Sequence, residues 1–354
     1  MAESKFYHFA PSGLFYGVES LAEAVTALRE GGFIWLNYYK PEKEDLNVLI
    51  DLLGIHPLSV EDCFDDKQVP KIEHFQNNSF ILFNSFSYED QTLYTDEVNL
   101  FIGKNFLITV SGHNSEERRP LKNIEEIVEH DTINAKTSPS MLMHKVLDFL
   151  VDQKYSSFDT MEDELEEAED LLVDNVSEFQ PMQLIRMRRN LVMLRKSLYH
   201  EREILVKINR LDSPFIPEKT LIAFRDIYDH LAKFFELTET YREIETSLME
   251  LYTSLLNNKM TQTSNETNAS VKRLTLITTV FMPLTLIASI GGMSEWTMMT
   301  GGEANWKLSY TLFILAMLIV ALVNFLLIKG LEKGKFSRKK RKPEEDYPSP
   351  DISL

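Results

Sequence analysis

A chain of 354 residues, with 54 acidic against 37 basic side chains and one cysteine, excludes several classes at once. Its net charge of −17 opposes nucleic-acid binding, which needs a basic face to meet phosphates. A single cysteine, Cys63, leaves no intramolecular disulfide and no multi-cysteine metal cluster.

The first 13 residues lack a basic start followed by an apolar run, so no secretory signal is expected. Residues 1–135 mix strand and helix signals and predict an α/β domain. Residues 33–36 (FIWL), 80–83 (FILF) and 106–110 (FLITV) are short, apolar and rich in β-formers, as buried strands are. Gly103-Lys104-Asn105 after Leu100-Phe101-Ile102 predicts a hairpin turn before the third of these. Residues 21–30, 42–53 and 119–130 predict helices, and the strand order is not legible.

Residues 136–212 predict a helical hairpin. Leu147, Val151, Lys154, Phe158, Met161, Leu165, Ala168 and Leu172 alternate in steps of four and three, a heptad seam. Residues 159–174 hold nine carboxylates and no basic side chain. After a turn at 177–181, Leu184, Met187, Leu191, Leu194, Leu198, Leu205 and Ile208 repeat the spacing. This second helix carries eight Lys or Arg against two Glu, so an antiparallel pair with acid facing base is expected.

Residues 213–273 predict a long stalk helix with a seam at Phe224, Ile227, Leu231, Phe234, Tyr241, Leu248, Tyr252 and Leu255. No proline follows Pro217 until Pro283, so an unbroken helix would run into the next segment. The weak point is 257–270 (NNKMTQTSNETNAS), whose composition favours a flexible linker over a helix wall held by neighbouring copies.

Residues 274–294 and 308–328 are uncharged stretches of 21 residues each. At about 1.5 Å per residue, each is long enough for a hydrocarbon core of about 30 Å. Lys272 and Arg273 precede the first, and eight basic residues lie in the tail 329–354. The positive-inside rule therefore predicts a cytoplasmic-membrane protein with both termini inside and the loop 295–307 outside. The tail is net +3, leaving −20 on the preceding 328 residues. Along the first span, Val271, Thr275, Thr278, Met282, Thr285 and Ser289 form one stripe, read either as a channel lining or as small-residue packing in lipid.

Phe281-Met282-Pro283-Leu284-Thr285, ending in Gly292-Met293-Ser294, resembles the first span of the CorA family of magnesium channels, with its F-M-P-L-T and Y-G-M-N. Ile55-His56-Pro57-Leu58 with Glu61-Asp62, then Pro70-Lys71-Ile72-Glu73-His74-Phe75, is similar to the family's cytoplasmic stretch, with Val69 in place of arginine. Asn190-Leu191-Val192 with Leu194-Arg195-Lys196, the motif Arg225-Asp226-Ile227-Tyr228-Asp229-His230, and Trp306-Lys307 match further segments in order.

The resemblance implies a homopentameric funnel: an α/β cytoplasmic domain, long coiled-coil helices and a two-helix transmembrane hairpin. It implies Mg²⁺ as cargo, with Co²⁺ or Ni²⁺ as further ions. Asn268, Leu274, Met282 and Thr285 fall at pore-lining positions, with Thr278 in the same stripe and Leu274 and Met282 as apolar gates. Gly292, Met293 and Ser294 take the selectivity position, where serine replaces the family's asparagine and Gly291 its tyrosine. Regulatory Mg²⁺ between protomers would use Asp226, with Glu89 and Asp90 as partner acids. Glu295 and Glu303 would concentrate cations at the external mouth by field alone. Between stalk and span the chain is seven residues longer than the family pattern, either two further helical turns or a bulge. Basic residues 338–342 would collar the pore entrance or hold anionic membrane lipid.

No phosphate-binding loop, nucleophile elbow or H-E-x-x-H motif is present, so no enzyme is expected. Two rival readings keep the architecture: a zinc or other transition-metal carrier, and a non-conducting membrane scaffold.

Overall fold

The computed structural model describes residues 3–65, 68–113, 118–132, 137–210, 213–292, 301 and 304–339. The chain divides into two compact units, Met1–Leu256 and Asn257–Leu354.

The first unit is built on a seven-stranded sheet. In chain order the strands are β1 (Glu3–Phe9), β2 (Phe15–Val18), β3 (Phe33–Tyr39), β4 (Lys71–His74), β5 (Asn78–Glu89), β6 (Thr92–Gly103) and β7 (Phe106–Ser111). Their order across the sheet is β2-β1-β3-β7-β6-β5-β4, with β3 and β7 parallel and every other pair antiparallel. The three apolar runs lie in β3, β5 and β7, and the expected hairpin joins β6 to β7. Strands β1, β2 and β4 are additions: charged residues break the apolar pattern of β1 and β4, and β2 is only four residues with a glycine among them.

Both faces of the sheet are covered. Ile34, Leu36, Phe80, Leu82, Phe101 and Ile108 pack with α1 (Leu21–Ala27), α2 (Lys43–Leu53) and α3 (Pro57–Asp62). The alternate residues Trp35, Ile81, Phe83, Leu100, Ile102 and Leu107 pack with α4 (Ile124–Thr132), α5 (Pro139–Asp174), α6 (Met182–Asn209) and α7 (Leu221–Gly291). A period of two puts successive side chains on opposite faces, and a sheet covered on both faces reads as unbroken apolar runs.

The approach of β1 to β3 depends on Gly32, which has φ +85°; a Cβ there would strike the Phe9 carbonyl oxygen. Gly32→Ala is expected to lower stability by about 1–3 kcal/mol, read as a drop in thermal unfolding temperature.

The heptad seams of α5, α6 and α7 are buried, from Leu147 to Leu172, Leu184 to Ile208 and Phe224 to Leu248. Ser138 caps α5 through its side chain, and Pro139 stands at the first turn, where its missing N–H is not needed. Lys154 of α5 meets Glu201 of α6, and Tyr88 and Gln91 of one hairpin meet Glu164 of α5 and Asn190 of α6. Residue numbers rise along one helix as they fall along the other, so α5 and α6 are antiparallel.

The expected acid-against-base attraction between them is redirected. Arg188 and Arg195 of α6 pair with Glu245 and Glu239 of α7. The one ion pair joining α5 to α6 among the described residues is reversed in sign: Lys154 on the acidic helix, Glu201 on the basic one. Three helices share the seam, so the basic side of α6 is met by α7.

Helix α7 is unbroken through 257–270, against the linker that composition favours. That tract has no glycine or proline, and its weak formers cost at most about 0.7 kcal/mol each. Helix on both sides removes the nucleation penalty. Hydroxyls of Thr261 and Ser270 donate to carbonyls one turn back. Residues 257–270 therefore form helix, with no bulge.

Candidate functional site

In the second unit, α7 continues to Gly291 and α8 (Trp306–Lys339) follows. Both helices are long and apolar enough to cross a membrane. Half-buried residues of α7 in this unit are Leu276, Val280, Pro283, Leu284, Ile287 and Gly291; those of α8 include Ser309, Phe313, Met317, Val320, Ala321 and Asn324. Each set repeats in steps of three and four, one helix face apiece, and Gly291 meets the Phe313 ring across the pair. A Cβ at Gly291 would sit 2.6 Å from that ring. Gly291 leaves no gap there: an aromatic ring from α8 occupies the place.

The stripe Val271, Thr275, Thr278, Met282, Thr285, Ser289 is exposed. At 3.6 residues per turn, Thr278 and Val280 stand about 200° apart, so the stripe lies on the side of α7 away from the half-buried seam. Thr275, Thr278, Thr285 and Ser289 each donate to a carbonyl one turn back, which satisfies the hydroxyl proton and leaves the oxygen lone pairs outward. Leu274, Thr275, Thr278, Thr279, Met282 and Pro283 border one shallow groove. Leu274 and Met282 are its bulky members, 65% and 67% exposed. Pro283 lacks an N–H and so frees the Thr279 carbonyl. Asn268 lies one stretch earlier on the exposed helix, its amide 3.5 Å from Ser264 Oγ.

Gly292 ends the described stretch, its N–H donating to the Ala288 carbonyl. Met293, Ser294, Glu295 and Glu303 lie outside the described residues.

In the first unit the three expected regulatory acids occupy two elements. Glu89 ends β5, and Asp90 begins the two-residue turn to β6; both are exposed. Asp226 is exposed on α7, its carboxylate 3.8 Å from His230 Nε2. His230 Nδ1 is 2.9 Å from the Tyr155 hydroxyl of α5. Asp148 and Asp152 of α5 share this neighbourhood: partial burial first, then the negative charges of Asp148 and Asp226, raise the Asp152 carboxyl above the usual carboxylate value. Among the described residues no three His, Cys, Asp or Glu side chains of one chain converge as a metal site. The oxygen donors of Glu89, Asp90 and Asp226 suit a hard cation such as Mg²⁺. Completing its shell would take water or another copy.

Sequence reading named Asn190 only within the family-like stretch Asn190-Leu191-Val192, and did not identify the groups that hold these acids. The distal half of the β5–β6 hairpin is fastened by side chains of both seam helices: Ser85 to Gln153 and Tyr88 to Glu164 on α5, Asn84 to Ser197 and the turn to Asn190 on α6. The signal was present as polar residues at otherwise apolar seam positions.

The profile of the family described as CorA-like Mg2+ transporter protein matches residues 30–330. The chain is 32% identical over 303 residues to YfjQ of Bacillus subtilis, covering 86% of this chain and 90% of that protein. It is 31% identical over 292 residues to the cobalt/magnesium transport protein CorA of Thermotoga maritima, covering 82% of this chain and 80% of that one. The solved CorA magnesium transporter of Methanocaldococcus jannaschii shares the fold, with a TM-score of 0.68 at 22% identity over 92% of this chain and 97% of that structure. With the match spanning the α/β unit and both apolar helices, the chain belongs to the CorA-like Mg²⁺ transporter family, a family of transporters and not of enzymes.

Proposed function

We propose that this protein carries divalent cations, Mg²⁺ foremost and Co²⁺ or Ni²⁺ in addition, across the cytoplasmic membrane as a homopentamer with both termini inside. The observation that carries the reading is the two-sided span of α7. One side packs with α8, and the opposite side presents hydroxyl-bearing residues punctuated by Leu274 and Met282. Five copies arranged about an axis would turn that side into a pore with outward-facing oxygens and two apolar constrictions that close by dewetting. The name of the Thermotoga maritima relative supports magnesium and cobalt as cargo.

Mg²⁺ sheds water reluctantly, so the mouth at Gly292, Met293 and Ser294 would recognise the hydrated ion. Serine hydroxyls accept from that water shell but reach less far than asparagine amides. A ring of Ser294 would therefore be wider, and Glu295 and Glu303 would raise the local cation concentration by field alone. Ser294→Asn is expected to sharpen preference for Mg²⁺ over Co²⁺, Ni²⁺ and Zn²⁺ severalfold in proteoliposome flux. Unchanged flux and preference would sink this account of the mouth.

Regulation would be feedback. Internal Mg²⁺ bound by Asp226 together with Glu89 and Asp90 of a neighbouring copy offsets carboxylate repulsion and favours the shut state. Helix α7 carries Asp226 and the pore stripe in one unbroken element, which supports coupling between them. The decisive experiment is uptake of each ion in turn by purified protein in liposomes, with and without a pH gradient. Channel-like Mg²⁺ flux independent of the gradient supports the reading. Zn²⁺ flux that needs the gradient would replace it with a proton-coupled carrier, and no flux under any condition would replace it with a scaffold.

A further inference from the structure

The β5–β6 turn carries one residue that disfavours its conformation, Gln91. Asp90 and Gln91 both have positive φ, 49° and 62°, in the two-residue loop that pairs Glu89 with Thr92. Such a turn prefers Asn-Gly or Asp-Gly: Asp90 suits the first position, whereas Gln91 stands where glycine is favoured and is strained. Something outside the turn must hold it, and the carboxylates of Glu89 and Asp90 with it.

Asn190 does so from α6. Its Nδ2 donates to the Gln91 carbonyl at 2.9 Å, and its Oδ1 accepts from the Leu93 N–H at 3.3 Å. One primary amide thus meets a carbonyl and an N–H of the same strand edge, as a neighbouring strand would. Asn190 is 5% exposed, among the leucines and methionines of the α6 seam. A buried amide at such a position is tolerated only where its hydrogen bonds are made. On the same face of the sheet the Tyr88 hydroxyl donates to Glu164 Oε2 at 2.6 Å. Both seam helices therefore hold the acidic tip from one face of the sheet, with Glu89 and Asp90 left exposed.

We propose that Asn190 is the positioning residue for the Glu89–Asp90 carboxylates, fixing the strained tip so that both acids meet a divalent cation already in place. This rests on reading Glu89, Asp90 and Asp226 as regulatory ligands. Asn190 touches no cation itself; it acts through the backbone of Gln91 and Leu93. Removing the amide leaves both backbone groups unpaired and lets the turn relax from its left-handed conformation. Residues that orient metal ligands typically change affinity by about 10–100-fold when lost.

The test uses full-length protein in detergent and MgCl₂ as the probe. The readout is the Mg²⁺ concentration giving half-maximal protection from limited proteolysis. Asn190→Ala is expected to raise that midpoint about tenfold or more. Asn190→Gln keeps the amide's donor and acceptor on a side chain one methylene longer, and is expected to raise it by less; it also serves should the alanine variant not fold. Gly32→Ala, remote from the tip, controls for general destabilisation. An unshifted midpoint in both Asn190 variants, while Glu89→Gln/Asp90→Asn shifts it, overturns the proposal. An equal shift in Gly32→Ala overturns it as well. If Glu89→Gln/Asp90→Asn and Asp226→Asn also leave the midpoint in place, the regulatory reading itself has failed.

Discussion

Replacing Lys154 with methionine is expected to destabilise the protein by about 3–5 kcal/mol, the usual penalty for stranding one partner of a buried ion pair. Lys154 and Glu201 are both fully buried, with Lys154 Nζ 3.2 Å from Glu201 Oε1 and 2.7 Å from the Asn84 carbonyl oxygen. The ammonium also lies over the Phe86 and Phe83 rings, 4.0 and 5.1 Å from their centroids. Glu201 Oε1 accepts from the Asn84 N–H and the Ser197 hydroxyl, whereas Oε2 has no hydrogen-bond partner. Without the lysine, that carboxylate would be charged in an apolar seam.

The pH dependence has a definite sign. Burial already raises the Glu201 carboxyl above its ordinary value despite the lysine beside it. Removing Lys154 takes away an attraction that lowers it, so the folded-state value rises further. A carboxyl whose folded value lies above its unfolded one favours folding below the unfolded value. It loses that advantage as pH rises through the folded value. The methionine variant is therefore expected to fall furthest behind the parent in alkaline buffer and to recover on acidification. The double variant Lys154→Met/Glu201→Leu removes both charges and is expected to regain most of the stability. Thermal unfolding of the full-length protein across pH checks all three. A single variant as stable as the parent at pH 8 would show that water or a nearby group supports Glu201.

Neutralising Asp226 is expected to weaken the response to Mg²⁺ on the cytoplasmic face by about 5–150-fold, the range of an ordinary coupling free energy of about 1–3 kcal/mol. The measurement is the midpoint of Mg²⁺ inhibition of flux in proteoliposomes for Asp226→Asn. The midpoint, and not the flux level, is diagnostic. Asparagine removes a ligand but also removes repulsion that the cation would have offset, so the two effects on flux oppose each other. A midpoint unchanged from the parent would take Asp226 out of the proposed regulatory site.

Much of the helical part was legible because each helix must bury one stripe. The three-four repeats from Leu147, Leu184 and Phe224 all lie inward. Lys154 joined its seam by spacing alone, before any partner for it was visible. The partner, Glu201, sits at the corresponding inward position of α6, between Leu198 and Leu205. Spacing reports which face is buried but not what it is buried against. For the same reason the reading of α6 as the electrostatic mate of α5 missed α7 as the helix that takes Arg188 and Arg195. Strands β5 and β6 are 12 residues each, longer than their apolar runs; in β5, Asn84 and Ser85 are buried against helices that hydrogen-bond both.

By itself the sequence determined the two apolar spans, the seams of the stalk and hairpin helices, and the stripe on α7. These depend on local periodicity and length, which need no knowledge of distant residues. Tertiary structure alone decided the strand order, the helicity of 257–270, the seat of Phe313 against Gly291, and the grip of Asn190 on the β5–β6 turn. Each of these depends on residues far apart in the chain, or on helix imposed from both sides. No window of the sequence contains both halves of such a contact.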